Sequence, residues 1–268
     1  MNSGDLEIIE QFVAAPDGGS MFVKSWHPVT SQSLSPVILF HDSIGCVAMW
    51  RQFPGALAAR LGRRVIAYDR LGFGRSSARD TLPTVGFVVE EAEVYFPALR
   101  SELRISEFVA FGHSVGGGMA VTVAARFAQG CRAVVTESAQ AYVEDRTLRS
   151  IAAAKEKFRD PRELAKLERY HADKARWVVD AWTDTWLTPE FRGWTLKAEL
   201  PRVRCPLLAI HGELDEYGST DFPTCLSTLT AGSAEKLILR RCGHIPHREQ
   251  EETVLTGVSE FLHRHTNT

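Results

Sequence analysis

The chain has 268 residues, of which 44% are hydrophobic and 24% are charged, and its formal net charge is −2. This length suits one large α/β domain or two small ones, and the composition is that of an ordinary globular protein. The small net charge argues against nucleic acid or an anionic membrane as a partner. No apolar run is long enough to span a membrane, and the polar N-terminus lacks the pattern of a signal peptide, so we expect a cytoplasmic protein.

Five cysteines are scattered along the chain, and no pair has the spacing of a metal site. We expect them to be reduced thiols, and we expect neither a metal nor a cofactor. Cys46 lies near the candidate site described below, where we interpret it as a small hydrophobic side chain of the pocket wall. The sequence does not indicate an oligomeric state.

Apolar runs bounded by turn residues predict eight strands. In chain order they cover residues 6–15, 20–26, 36–40, 64–68, 107–111, 132–136, 206–210 and 236–240. The first two form a hairpin through Asp17-Gly18-Gly19, and residues 27–36 read as a surface loop. Helices are predicted at about 49–61, 84–103, 119–126, 220–230 and 249–264. Strands that alternate with helices predict a mostly parallel sheet covered on both faces, with the hairpin as an antiparallel edge.

The pattern changes between residues 140 and 198. This stretch contains no predicted strand, and its charged, alanine-rich and tryptophan-rich segments have helical periodicity. We therefore predict a core formed by residues 1–139 and 199–268. Residues 140–198 are predicted to form a helical cap inserted after the strand that ends near Thr136.

The stretch Phe108–Gly118 carries the main chemical signal. An apolar strand runs into Gly112-His-Ser-Val-Gly116, and a helix rich in small residues follows. A strand, a sharp turn carrying Gly-x-Ser-x-Gly and a helix form the pattern of a nucleophile elbow. Ser114 must adopt a strained backbone to present its hydroxyl, and its glycine neighbours allow close backbone approach. The helix N-terminus aims its amides at charge that develops on a substrate.

Two further polar residues follow predicted strands, Asp215 and His244. The carboxyl ends of parallel strands meet at one edge of the sheet, so we expect both near Ser114. A serine hydroxyl needs a base to become a nucleophile at neutral pH, and the base needs a carboxylate to hold its tautomer. The order Ser114, Asp215, His244 is the order of the α/β-hydrolase arrangement.

An oxyanion hole is also required, because negative charge forms on the attacked carbonyl oxygen. We predict that one donor is the backbone amide of Val115, at the start of the helix after the elbow. The second is predicted in the loop His41–Gly45, from the amide of Ser43 or that of Ile44.

These pieces together resemble the α/β-hydrolase superfamily over nearly the whole chain. The matching motifs are His41-Asp-Ser-Ile-Gly45, Asp69-Arg-Leu-Gly-Phe-Gly-Arg-Ser76, Gly112-His-Ser-Val-Gly-Gly117, His211-Gly-Glu-Leu-Asp215 and Cys242-Gly-His244. The resemblance implies an eight-stranded, mostly parallel sheet with an inserted helical cap. Residues 139–145 and 200–207 add a weaker similarity to valacyclovir-hydrolase-like members. The family usually has glycine at the position of Asp42, which puts the detailed loop conformation in question.

Other residues compete for the catalytic roles. His247 lies one helical turn from His244 and is the rival base. Glu213 and Glu216 flank Asp215, and Glu137 ends a strand where some members of the family carry their acid. Asp69 reads as a loop-organising residue rather than a catalytic one.

Candidate pocket residues follow the oxyanion loop or belong to the cap. They are Ile44, Met49, Trp50, Trp182 and Trp186. For each tryptophan of the cap, including Trp177 and Trp194, packing between cap and core is an equally good interpretation.

The sequence therefore predicts a serine hydrolase that cleaves carboxylic esters of small, neutral to hydrophobic substrates through an acyl-enzyme. Val115 offers no charge to a substrate ammonium, and Asp42 is the alternative partner for one. The same residues also serve thioesterases, lactonases and C–C bond hydrolases, and a non-catalytic small-molecule receptor is the alternative of another class. A haloalkane dehalogenase would need aspartate at position 114.

Overall fold

The apolar runs of the sequence form one eight-stranded sheet in the computed structural model, which describes residues 6–29 and 34–266. The strands are β1 (Leu6–Ala14), β2 (Ser20–Pro28), β3 (Val37–Phe40), β4 (Val65–Tyr68), β5 (Phe108–His113), β6 (Cys131–Glu137), β7 (Leu207–Gly212) and β8 (Ala234–Leu239). Their spatial order is β1-β2-β4-β3-β5-β6-β7-β8. The β1–β2 and β2–β4 pairs are antiparallel and all others are parallel, so the predicted fold class is confirmed.

The central strands are buried along their whole length. Every residue of β3, β4, β5 and β7 is buried. Their continuous apolar sequences follow from this, because helices cover both faces of a parallel sheet. The register pairs Phe40 with Gly112 and His113 with Glu137. The loops that follow β3, β5 and β6 therefore leave the sheet side by side.

Ten α-helices are found in the described ranges. They are α1 (Phe53–Leu61), α2 (Phe87–Glu90), α3 (Phe96–Glu102), α4 (Val115–Arg126), α5 (Asp145–Lys157), α6 (Pro161–His171), α7 (Ala175–Leu187), α8 (Asp221–Leu229), α9 (Pro246–Glu249) and α10 (Glu251–Thr266). A π-helical turn, Glu91–Tyr95, joins α2 to α3. Helices α1 and α10 pack on one face of the sheet, whereas α3, α4 and α8 pack on the other.

Two predicted helices are interrupted near their starts. The helix predicted from residue 49 begins as a 3-10 turn, Val47–Trp50, and Arg51 then has a φ of 55° before α1 starts. The helix predicted from residue 249 is divided between α9 and α10, because Gln250 leaves helical geometry with a φ of −140°. The predicted N-terminal polar stretch 1–5 and residues 30–33 of the predicted loop lie outside the described residues.

Residues 140–198 form an inserted helical segment between β6 and β7. It contains α5, α6, α7 and the 3-10 turns Ala172–Lys174 and Pro189–Gly193. Its two ends meet at an isolated antiparallel bridge between Tyr142 and Thr195. Helices α5 and α6 both pack on α7, so the segment has contacts of its own.

One histidine ties this segment to the sheet side of the molecule. His171, at the end of α6, is fully buried. Its Nδ1 accepts the Gly74 N–H at 2.8 Å, so the proton lies on Nε2, which donates to the Ile44 carbonyl at 2.9 Å. The helical segment is therefore hydrogen-bonded to the loop that follows β3.

Within residues 6–29 and 34–266, no helix combines the length and the apolar character needed to cross a bilayer.

The turn between β5 and α4 is closed by direct backbone contact. A Cβ at Gly112 would lie 2.0 Å from the Gly116 carbonyl oxygen, and a Cβ at Gly116 would lie 2.1 Å from the Phe40 carbonyl oxygen. Both distances are far inside van der Waals contact, and both obstacles are backbone atoms of the sheet core. Glycine is therefore required at both positions.

Gly116→Ala should lower the free energy of unfolding by about 1–3 kcal/mol, because the added methyl group must push β3 and α4 apart. Urea denaturation of purified protein measures this. Gly193→Ala is the matched control, since no atom lies within 4 Å of its added Cβ. Its stability should stay within about 0.5 kcal/mol of the parent protein. Equal stability of the two variants would contradict the close-contact explanation.

Candidate active site

Ser114 occupies the turn between β5 and α4 with a strained backbone. Its φ is 55° and its ψ is −127°, a conformation that costs a non-glycine residue about 1–3 kcal/mol. Its N–H donates to the Glu137 carbonyl at 2.8 Å, which fixes the turn against the end of β6. The side chain is 7% exposed and lines a cavity above the carboxyl edge of the sheet.

The cavity has a volume of about 190 Å³ and lies between the strand ends and the inserted helical segment. Asp42, Ser43, His113, Ser114 and His244 line it from the sheet side. The helical segment contributes Thr147, Ile151, Trp182 and Trp186. The loop after β7 adds Glu216 and Tyr217, and the start of α9 adds Ile245 and Arg248.

His244 and Asp215 form a hydrogen-bonded pair beside this cavity. The His244 Nδ1 lies 2.8 Å from Asp215 Oδ1 and 2.9 Å from Oδ2. With its proton on Nδ1, the ring keeps a lone pair on Nε2 that can accept a proton. The Tyr217 N–H also donates to Asp215 Oδ1, at 2.7 Å. Burial favours a neutral Asp215, but the charge and hydrogen bond of His244 outweigh it and hold the pKa of Asp215 below its usual value.

The rival base and acid bind each other instead. His247 is 3% exposed and is not part of the cavity wall. Its Nδ1 lies 2.6 Å from Glu137 Oε2, and its N–H donates to Glu137 Oε1 at 2.7 Å. Of the other two acids, Glu213 accepts the Arg241 N–H at 3.3 Å, and Glu216 lines the cavity. Asp215 therefore holds the Nδ1 of His244. The competing candidates, His247 for the base and Glu137 for the acid, bind each other instead.

One group of side chains in the described part of the chain has metal-ligand types close together. His113, Glu137 and His247 are buried, and one ligand atom from each lies within 4.8 Å of the others. The Glu137–His247 pair already uses two of these side chains, and the His113 Nε2 lies 2.8 Å from the His244 carbonyl oxygen. The group is a hydrogen-bonded support beneath the cavity, and we do not interpret it as a metal site.

In the predicted oxyanion loop, His41–Gly45, only one of the two candidate amides, Ser43 and Ile44, is available to bind a ligand oxygen. The Ile44 N–H donates to Asp42 Oδ1 at 2.8 Å, so that amide already has an acceptor. Across residues 6–29 and 34–266, neither the Ser43 N–H nor the Val115 N–H has an acceptor. Asp42 has a negative φ, so the loop does not use the left-handed backbone expected of a glycine there. Ser43 and Val115 are therefore the two amides that remain free for a ligand oxygen.

The structure places most of the predicted pocket residues at the cavity, with one correction. Ile44, Met49, Trp182 and Trp186 line it. Trp50 does not, and the prediction for it was wrong. The 3-10 turn directs its ring into the core, where it stacks on Phe53 at 6.0 Å between centroids and contacts His247 at 4.7 Å.

Cys46 also lies away from the cavity, contrary to our interpretation. It is 1% exposed, and burial raises the pKa of its thiol to about 12. A thiol with such a pKa stays protonated and behaves as a small hydrophobic side chain.

Several residues of the cavity wall were not predicted from the sequence. The Gln140 side chain lies 3.5 Å from the Ser114 Oγ, at the entrance to the inserted helical segment. Tyr217 follows Asp215 by two residues, and its ring packs on His244 at 4.7 Å between centroids. Arg248 lies one helical turn after His244. Gln140 and Tyr217 lie a few residues after the ends of β6 and β7, which was a usable signal for both, because the loops after β3, β5, β6 and β7 all contribute to the cavity.

Comparisons with known proteins agree with this architecture. A family model described as the alpha/beta hydrolase fold matches residues 35–172. Proline iminopeptidase of Lactobacillus helveticus is 23% identical, over 86% of this chain and 90% of its own length. The human serine hydrolase BPHL is 29% identical over 56% of this chain and 53% of its own length.

Solved structures extend the likeness to almost the entire chain. The 2-hydroxy-6-oxo-6-phenylhexa-2,4-dienoate hydrolase of Rhodococcus sp. strain RHA1 superposes with a TM-score of 0.78 at 20% identity, covering 97% of this chain and 100% of its own. Proline iminopeptidase of Mycobacterium smegmatis gives a TM-score of 0.72 at 22% identity, covering 96% and 98%. At such identities these matches show the fold, and the family model covers more than half of the sequence. The chain therefore belongs to the α/β-hydrolase family.

Proposed function

We propose that this α/β-hydrolase is a serine hydrolase that cleaves carboxylic esters of small, neutral to hydrophobic substrates through an acyl-enzyme. One observation carries the proposal. Ser114, in a strained turn, shares a cavity wall with His244, and the Nδ1 of His244 is held by Asp215 at 2.8 Å. A nucleophile, a base with a free Nε2 and a carboxylate that orients the base are the three groups that acyl transfer needs.

The reaction begins when the Ser114 Oγ attacks the carbonyl carbon and its proton passes to the His244 Nε2. Asp215 stabilises the resulting imidazolium, and the amides of Ser43 and Val115 bind the carbonyl oxygen as it becomes negative. His244 then gives the proton to the leaving alcohol, and the acyl group stays on Ser114. Water attacks this acyl group with His244 as base, and the carboxylic acid leaves as Ser114 recovers its proton.

The cavity wall supports neutral, moderately hydrophobic substrates. The side chains that the helical segment contributes, Thr147, Ile151, Trp182 and Trp186, are uncharged, whereas the charged lining residues Glu216 and Arg248 come from the loop after β7 and from α9. Asp42 does not act as a free anchor for an ammonium group. Its Oδ1 accepts the Ile44 N–H at 2.8 Å, and its Oδ2 lies 3.4 Å from the His113 Nδ1. We infer that the inserted helical segment acts as a cap that selects the acyl group by shape.

The nucleophile is tested directly by Ser114→Ala. A panel of p-nitrophenyl esters of graded chain length, with a lactone and a thioester, measures kcat/KM. We expect ester turnover to fall about 10⁴-fold or more, because the acyl-enzyme cannot form. Ser101→Ala, an exposed serine at the end of α3, is the control and should keep full activity. Intact turnover in Ser114→Ala would refute the mechanism, and a lactone or thioester as best substrate would refute the ester preference.

The choice of base is tested by the rate at which a fluorophosphonate probe labels Ser114. His244→Gln should slow labelling about 10³-fold or more, since the serine loses its proton acceptor. The matched control is the double variant Glu137→Gln/His247→Gln, which replaces the buried histidine–carboxylate pair with two amides and should still label. Slow labelling in the double variant alone, with both proteins folded by circular dichroism, would assign the base role to His247. Failure of the folded parent protein to label would favour a small-molecule receptor.

The substrate class is tested by an α-amino ester and its des-amino analogue. Because both oxygens of Asp42 are engaged, we expect the des-amino ester to be hydrolysed at least as efficiently, measured as kcat/KM. A strong preference for the amino ester would overturn the assignment to neutral substrates and favour the activity of an aminopeptidase or amino-ester hydrolase.

A further inference from the structure

His113 and Asp42 form a histidine–carboxylate pair in the cavity wall that no step of the proposed mechanism uses. His113 precedes Ser114 in the elbow, and Asp42 precedes Ser43 in the oxyanion loop. The His113 Nδ1 lies 3.4 Å from Asp42 Oδ2, and its Nε2 lies 2.8 Å from the His244 carbonyl oxygen. One imidazole ring therefore touches the loop of the oxyanion amide and the loop of the base.

Both ring nitrogens of His113 face oxygen acceptors. A carbonyl oxygen can only accept, so the Nε2 must carry a proton to bond His244. A neutral ring would then direct the lone pair of Nδ1 at the Asp42 carboxylate. A second proton removes that repulsion and gives an imidazolium that donates on both sides. The alternative location of this proton, on Asp42 Oδ2, would give a neutral ring and a neutral acid.

The surroundings of the pair favour the charged arrangement. His113 is 2% exposed, and Glu137 at the end of β6, His244 after β8 and His247 in α9 surround it. Trp50, in the 3-10 turn after β3, contacts its ring edge. On the side of Asp42, Arg70 and His41 both donate to the backbone carbonyl of that residue at 2.8 Å.

Arg248 in α9 adds a positive charge that acts on Asp42. Burial favours a neutral His113, but the contact with Asp42 and the charge of Glu137 outweigh it and raise the pKa of His113. Burial likewise favours a neutral Asp42, but His113 outweighs it and holds the pKa of Asp42 far below its usual range.

We propose that His113 is a positioning residue, held as an imidazolium at neutral pH, that neutralises Asp42 next to the oxyanion hole. Without it, a carboxylate one residue from the Ser43 amide would oppose the negative charge that forms on the substrate oxygen. The same ring, through the His244 carbonyl, fixes the base loop against the elbow. Asp42 thus brings a negative charge to the loop of the Ser43 amide, and His113 compensates it.

The pH dependence follows from the direction of the shift. The charge of His113 is fully present below the ordinary pKa of histidine and is lost as the pH rises through its raised pKa. Asp42 keeps its charge throughout that range. Activity should therefore fall on the alkaline side as His113 loses its proton, and the effect should appear in kcat more than in KM, because it acts on charge that develops in the transition state.

The protonation state is measured on the parent protein by ¹⁵N NMR with labelled histidine. The chain has nine histidines, and one buried ring should show the imidazolium pattern, with protons on both nitrogens, at pH 7.5. His113→Gln identifies the signal by its loss. A neutral His113 at that pH would overturn the proposal, and this experiment does not depend on the proposed esterase function. Its failure is therefore distinguishable from a failure of the ester assays.

The kinetic test uses the best ester and three variants. His113→Gln should lower kcat by about 10- to 100-fold, as expected for an uncompensated charge in partly screened surroundings, and should lose the alkaline fall. Asp42→Asn keeps an oxygen for the Ile44 N–H but removes the charge, so it should also lose the alkaline fall. Asp42→Asn/His113→Gln should recover at least severalfold in kcat over His113→Gln alone. The control Ser101→Ala, an exposed position at the end of α3, should keep the alkaline fall.

A purely structural role for His113 predicts a different pattern. The double variant would then be no faster than His113→Gln, and Asp42→Asn would keep the alkaline fall of the parent protein. Either result, with the variants folded by circular dichroism, would overturn the proposal.

Discussion

The close backbone contact at the nucleophile turn is the constraint on which the site depends. Gly112 and Gly116 let the first turn of α4 lie against the end of β3, and Ser114 accepts a strained φ of 55° in between. The parallel register then places the ends of β3, β5 and β6 side by side. The loop of Ser43, the turn of Ser114 and Glu137 at the end of β6 therefore reach one edge without any long connection. A change at the turn would disturb all three together.

Two histidine–carboxylate pairs lie close together, and burial gives them different properties. Both use Nδ1 and a carboxylate oxygen at similar distances. The His244 side chain is 12% exposed and borders the cavity, whereas that of His247 is 3% exposed and lies below it. A base needs access to a substrate, so only the first pair suits proton transfer. The second pair binds the end of β6 to α9 and supports the first from beneath.

The sheet, its strand order and the grouping of Ser114, Asp215 and His244 could be predicted because each depends on local signals. An apolar run followed by a polar turn identifies a strand end, and parallel strand ends meet at one edge. Trp50 could not be predicted, because one left-handed residue at Arg51 decides which way the preceding turn faces. Arg248 reaches the cavity through the packing of α9, which no spacing along the chain reveals. His247 and Glu137 are distinguished from the His244–Asp215 pair because they bind each other, although they lie 110 residues apart in sequence.

The two ends of the inserted helical segment lie next to each other, and this separates changes within the segment from changes in the sheet. Tyr142 and Thr195 pair with each other, and the Leu196 N–H donates to the Ala141 carbonyl at 2.8 Å. The segment therefore leaves and re-enters the sheet at a single point, and its length can vary without altering the strand register. Mutations inside the segment change the side chains that line the cavity opposite the sheet, while Ser114 and His244 on the sheet side stay in place. Two groups of contacts are exceptions. His171 donates to the Ile44 carbonyl in the loop after β3, and in α5 the hydroxyls of Thr147 and Ser150 donate to the carbonyls of Tyr217 and Glu216, both at 2.6 Å, in the loop that carries Asp215. A segment exchanged between homologous chains would have to keep both groups of contacts.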